Sequence, residues 1–172
     1  MIKRLNSVLA ACAISAIGLP AMAQISSEGG AIYSDADRIE SVESDNAAYL
    51  IGNVDIQQGD ARLRADKVTI KFHQAADGEK SGLTSGFGDV RQIIAEGNVF
   101  YVTPEMKAKG DRGVYEQHTD TITMTGNVAL MRERDVAEGQ SLKIEIGNRR
   151  TTLDGGSSTS RMVITPEDNT EN

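Results

Sequence analysis

Through most of the chain, apolar and polar residues alternate with period two. Val68, Ile70 and Phe72 are separated by Thr69 and Lys71, and Leu142, Ile144 and Ile146 by Lys143 and Glu145. Ile122 and Met124 sit among Thr121, Thr123 and Thr125, while Val54 and Ile56, Val99 and Tyr101, and Val128 and Leu130 keep the same spacing. This alternation, rich in β-branched residues, predicts strands that each bury one face. Beyond the first 23 residues no 3.6-residue period runs over a dozen positions, so an all-β domain is expected.

The strands repeat in a fixed phrase. Gly-Asn-Val occurs at Gly52-Asn53-Val54, Gly97-Asn98-Val99 and Gly126-Asn127-Val128. Thirteen residues after each Gly comes a small residue (Ala65, Gly110, Gly139), followed by a polar one (Asp66, Asp111, Gln140). Eighteen residues after it comes a large one, Ile70, Tyr115 or Ile144. Independent turns would not hold two offsets together, so this is an internal repeat. Gly and Asn both tolerate positive φ. Each repeat therefore reads as strand, sharp Gly-Asn bend, strand, corner, strand. Ala36-Asp37 echoes Ala65-Asp66 and looks like the second half of an incomplete terminal repeat, which caps the stack.

The ends and one insertion stand outside the pattern. Lys3 and Arg4, the apolar run from Leu5 to Leu19 and Ala21-Met22-Ala23 predict a secretory signal peptide over 1–23, cleaved after Ala23. Leu9-Ala10-Ala11-Cys12 also resembles a lipoprotein processing site, but few apolar residues precede Cys12. Cleavage after Ala23 removes the one cysteine of the 172 residues and leaves a domain over 24–166. A Gly/Ser-rich loop is expected at 74–90 and a disordered tail at 167–172.

Charge narrows the function. The chain carries 18 Lys and Arg against 25 Asp and Glu, a net charge of -7. Such an acidic chain lacks the electrostatic footprint of a nucleic-acid binder, and it has no polybasic stripe for an anionic membrane surface. An exported, unanchored chain is expected to be periplasmic.

Catalytic chemistry is sparse. His73 ends one strand and His118 sits in a turn, neither at metal-ligand spacing. No nucleophile elbow appears. Asp37, Asp66 and Asp111 recur at equivalent repeat positions, which points to a structural role at the corner through an Asx-type bond. No enzyme, metal or cofactor is expected. What remains is the apolar sheet interior, and periodicity alone leaves open whether it is a closed core or a groove.

The ordered series Ala36-Asp37-Arg38-Ile39, Gly52-Asn53-Val54, Leu63-Arg64-Ala65-Asp66-Lys67, Ala95-Glu96-Gly97-Asn98-Val99, Ala108-Lys109-Gly110-Asp111 and Thr125-Gly126-Asn127-Val128 resembles the LptA/OstA family. So does the ending with Arg161, Val163 and Pro166. The likeness runs over residues 31–166. It implies a slightly twisted, V-shaped β-jellyroll of antiparallel strands in the periplasm. It further implies lipopolysaccharide transport, with lipid A acyl chains shielded in an apolar groove for outer-membrane assembly. The partners it implies are LptC at the inner membrane, LptD with LptE at the outer membrane, and further copies of the chain joined head to tail. The candidate lining residues are Val54, Ile56, Val68, Ile70, Phe72, Val99, Tyr101, Tyr115, Met124, Val128, Leu130, Leu142, Ile144 and Ile146. The expected contact strands are the first, around Ile32 to Glu43, and the last, around Leu142 to Ile164. Two other readings stay open: an adaptor jellyroll with a closed core and no lipid, and an LptC-like subunit held by its N-terminus.

Overall fold

The computed structural model of the chain describes residues 31–74 and 87–165. Ten strands follow one another: β1 (Ile32–Asp35), β2 (Arg38–Val42), β3 (Ala47–Gln58), β4 (Ala61–Gln74), β5 (Phe87–Val102), β6 (Lys107–Glu116), β7 (Thr121–Arg132), β8 (Asp135–Glu145), β9 (Arg150–Asp154) and β10 (Arg161–Val163). Every pairing is antiparallel, and all ten strands belong to one sheet. β1 and β2 both pair with β3, and β9 and β10 both pair with β8. The sheet thus has eight lanes, and each outermost lane is made of two short strands.

The Gly-Asn dipeptides do not separate strands, as the sequence suggested. They sit inside β3, β5 and β7 as bulges, where the register slips between Ile51 and Val54, Glu96 and Val99, and Thr125 and Val128. Gly52, Gly97 and Gly126 have φ of 80, 75 and 79°, and Asn53, Asn98 and Asn127 have 46, 45 and 44°. A bulge adds a residue to one strand, bends it and increases its twist while the ladder resumes beyond. Aligned across the sheet, these bulges fold it into two half-sheets. The first holds β2, β9 and residues 47–51, 67–74, 87–96, 112–116, 121–125 and 141–145. The second holds β1, β10 and residues 54–58, 61–65, 99–102, 107–110, 128–132 and 135–139.

The repeated aspartates hold the bend. Asn53 Nδ2 donates to Asp37 Oδ2 at 2.9 Å, Asn98 to Asp66 at 2.8 Å and Asn127 to Asp111 at 3.2 Å. The structural role is as expected, but each bond crosses to the neighbouring strand rather than closing a local Asx turn. At two of the small positions of the repeats, Gly110 and Gly139, the absence of a side chain has a steric cause. A Cβ on Gly110 would lie 3.2 Å from the Thr125 carbonyl oxygen, and one on Gly139 would lie 2.8 Å from that of Asp154.

Hairpins close the lanes. Three-residue 3-10 turns at Glu43–Asp45 and Gln117–Thr119 end on left-handed Asn46 and Asp120. Part of the expected 74–90 loop is strand: β5 begins at Phe87 and Gln74 is in register with Phe87. Residues 75–86, the 1–23 leader, Cys12 and the 167–172 tail lie outside the described residues. The free lane at the C-terminal edge is β9 and β10. β8 is paired on both sides, so Leu142 and Ile144 are interior and unavailable as contact-strand residues.

Candidate binding interior

The two half-sheets face each other across a single apolar cluster. Cross-strand register arranges its members in rows. One row in the first half-sheet reads Ile39, Leu50, Val68, Ala95, Gly113, Met124, Leu142, Leu153. The next reads Ala48, Ile70, Ile93, Tyr115, Ile122, Ile144, Thr151. In the second half-sheet, Ile56, Leu63, Tyr101, Ala108, Leu130, Ala137 and Met162 align. Ile70, Tyr115 and Ile144, the eighteenth-position residues of the repeats, share one row.

Of the fourteen candidate lining residues, ten are buried members of the cluster: Val54, Ile56, Val68, Val99, Tyr101, Tyr115, Met124, Val128, Leu142 and Ile144. Ile70, Leu130 and Ile146 are half-buried and pack against it. Phe72 is half-buried near the end of β4 and is not among the cluster's members. The candidates missed Leu50, Leu63, Ile93 and Ile122, all buried in the same cluster. Leu63 was within reach, since Ala61, Leu63 and Ala65 alternate with Arg62 and Arg64. Gln58 is buried at the end of β3, a polar group at an interior position that period two alone does not reveal.

The interior is packed. Between Leu63, Ile93, Val99, Tyr101, Tyr115 and Met124 about 30 Å³ remains free. That holds about one water-sized sphere and not an acyl chain. The far ends of the half-sheets lie away from the bend. Ile70 and Ile146 lie toward that end of the first half-sheet, and Leu130 and Met106 toward that end of the second.

Tyr101 and Tyr115 bring hydroxyls into this apolar surrounding. The Tyr115 hydroxyl donates to Asp120 Oδ1 at 3.2 Å. Burial, then the Asp120 carboxylate and Tyr115, pushes the Tyr101 phenol up to about 12. His73 and His118 are exposed, and among the described residues no cluster of His, Cys, Asp and Glu is arranged to hold a metal. Among those residues, too, no helix is long and apolar enough to cross a membrane.

An open antiparallel sheet, folded along a line of bulges onto an apolar interior, defines a β-jellyroll. The family described as LptA/(LptD N-terminal domain) LPS transport protein matches residues 33–150, and the chain belongs to it. An uncharacterized protein of Rhizobium meliloti (strain 1021) is 26% identical over 137 residues, 79% of this chain and 72% of that protein. The LPS-assembly protein LptD of Salmonella choleraesuis (strain SC-B67) is 34% identical over 116 residues, 67% of this chain. The chain spans only 14% of that LptD. Among solved structures, it resembles LptH of Pseudomonas aeruginosa, described as the LptA-homologous periplasmic component of a lipopolysaccharide transport device. The TM-score is 0.62 at 20% identity, covering 79% of this chain and 96% of that one. That likeness establishes the β-jellyroll.

Proposed function

We propose that this chain is a periplasmic carrier of lipopolysaccharide. In this reading it bridges the inner and outer membranes, with lipid A acyl chains shielded between its half-sheets. The observation that carries it is the run of the inward rows. They cross the sheet without a charged residue, and at each free edge one of them ends bare, the Leu50 row on Ile39 at 58% exposure and the Ala137 row on Met162 at 68%. A closed core would stop short of its edges. Keeping a chain of about a dozen carbons from water is worth roughly 10 kcal/mol at ~0.8 per methylene. A uniform lining of Val, Ile, Leu and Met lets such a chain slide without a deep trap.

The lanes support head-to-tail joining. The first lane carries Asp37, and the eighth carries Gly155-Gly156 where the repeat places Gly-Asn. A second copy's β1–β2 set against β9–β10 would continue both the antiparallel alternation and the alternation of corner types. This is β-augmentation in a heterologous, non-closing geometry. The same edges suit LptC at one end and LptD with LptE at the other. The packed interior favours a second reading, a closed adaptor jellyroll that binds partners and no lipid.

Photocrosslinking in cells separates the two. A photoreactive residue replaces half-buried Leu130 rather than Ile144, where a bulky probe would overpack the core, and exposed Lys143 serves as control. A lipopolysaccharide adduct at Leu130 that needs cellular ATP, with none at Lys143, supports the carrier. No adduct at Leu130 in a folded, exported protein leaves the adaptor.

A further inference from the structure

Two rows of the outer face carry charge from the first lane to the eighth. One, in the second half-sheet, begins at Asp35, passes Asp55, Arg64 and Lys109, and ends at Arg161. The other, in the first half-sheet, begins at Arg38, passes Lys67, Glu96 and Arg112, and ends at Asp154. Each row starts and ends on opposite charges, and the two have opposite polarity. Within one copy the same rows already hold cross-strand ion pairs. Arg64 Nε lies 3.2 Å from Asp55, and Glu96 lies 4.0 Å from Lys67 Nζ and 3.9 Å from Arg112 Nε.

The four terminal charges are exposed. Asp35 is in register with Asp55, a like charge whose cations are Arg62 and Arg64. Among the described residues neither Asp35 nor Arg161 takes part in an ion pair. Asp154 accepts the Gly156 N–H on Oδ1 at 2.6 Å, which leaves Oδ2. Arg38 pairs along its own strand with Glu40.

We propose that two ion pairs set the joint between copies, Asp35 of one copy with Arg161 of its neighbour and Arg38 with Asp154. These charges select a second copy of this chain, in one register, as the edge partner. Continuing the rows by one lane places each pair directly opposite, one on either side of the bend. The same register sets Ile39 against Leu153 on the inward face and Tyr33 against Val163 on the outer face. Opposite charges facing across a strand pair attract, and like charges repel. A slip of one residue turns the inward rows outward, so the nearest competing register is displaced by two. In one direction that slip sets Glu40 against Asp154, two carboxylates, and Asp35 against Val163. In the other it exchanges both pairs for one, Glu40 with Arg150. A foreign edge whose rows end on other charges loses both pairs, which is how charge discriminates between partners. The proposal takes the second copy from the head-to-tail reading and adds the register and the selecting charges.

Sedimentation velocity of the purified full chain over a concentration series tests it. Asp35→Arg and Arg161→Asp each set like charges against one another at every joint. Each alone should weaken association on the order of tenfold, a lost attraction plus a gained repulsion. Mixed, the two variants present opposite charges to each other, and association should return to near the parent's level. The double variant Asp35→Arg/Arg161→Asp should regain it within one chain. Recovery needs both variants folded, so a folding defect does not imitate it. Where thermal melts show that a variant has failed to fold, Arg38→Asp mixed with Asp154→Arg decides in the same way. A mixture and a double variant as weak as the single ones overturn the register and leave head-to-tail joining in place. Single variants that associate like the parent do the same. A parent that stays monomeric across the series sinks the joining reading and the proposal with it.

Discussion

Asp66 accepts the side-chain amide of Asn98 at 2.8 Å across 32 residues of sequence. The same pair recurs 16 residues apart as Asp37 with Asn53 and Asp111 with Asn127. Each carboxylate occupies the space a Cβ would take on the glycine before the asparagine. Gly97→Ala therefore meets two obstacles, a φ of 75° and a Cβ inside contact distance of Asp66 Oδ2. Backbone strain of that kind costs on the order of 1–3 kcal/mol. Urea unfolding should show Gly97→Ala destabilised by about that amount. In a double-mutant cycle, Asp66→Ala and Asn98→Ala should couple, while Asp66→Ala and Asn127→Ala should add independently.

That pairing marks what the sequence made legible. Three Gly-Asn phrases, three small-polar pairs and the row of Ile70, Tyr115 and Ile144 could be read from spacing because each repeat imposes the same physical demand on the same residue. Whether Gly-Asn ends a strand or bulges within one could not, since that depends on whether the ladder resumes with the neighbouring strand. Ile93 escaped for a local reason: Ile94 follows it, and two adjacent isoleucines hide which one faces inward. Gln58 escaped because a polar residue at a buried position breaks the alternation that identifies burial. That Tyr101 and Tyr115 line one interior space needed the fold, because they stand in two half-sheets that have no local sequence relation.

Leu142 tests the packing of the interior. It is 0% exposed and sits between Met124 and Leu153 in its row. Leu142→Ala removes buried methyls and leaves a cavity, a change that costs about 2–5 kcal/mol. Leu130→Ala, at the half-buried rim, should cost less because its surroundings already meet solvent. Chemical denaturation of the two variants gives the comparison, and equal losses would mean the rim is as tightly packed as the centre.

Asp55 gives the outer face a pH dependence. It receives Arg62 Nε at 2.7 Å and also faces Arg64, and the Arg62 hydrogen bond holds its carboxyl below the ordinary range. A depressed folded value means the contribution is present above the unfolded carboxyl value of about 4 and is lost as pH falls through the folded one. The pair lies at the surface, so the effect is small and weakened by salt. Denaturation midpoints followed from neutral pH to below 4 should fall less steeply with acid in Asp55→Asn than in the parent. Parallel slopes would show that this pair contributes nothing to acid sensitivity.

The free edges separate self-association from folding. Ile39 is in register with Leu50, and Met162 with Ala137, so each is the last member of an inward row. Neither is buried, so replacing it removes little packing within one copy. A lysine at a sheet edge opposes strand addition, because pairing would desolvate its charge. Ile39→Lys and Met162→Lys should therefore leave the thermal midpoint nearly unchanged. In sedimentation velocity each variant alone should shift toward the monomer. Mixing the two should allow dimers, since each retains one intact edge, but no longer chains. Filaments that persist in both single variants would place the contact elsewhere on the molecule.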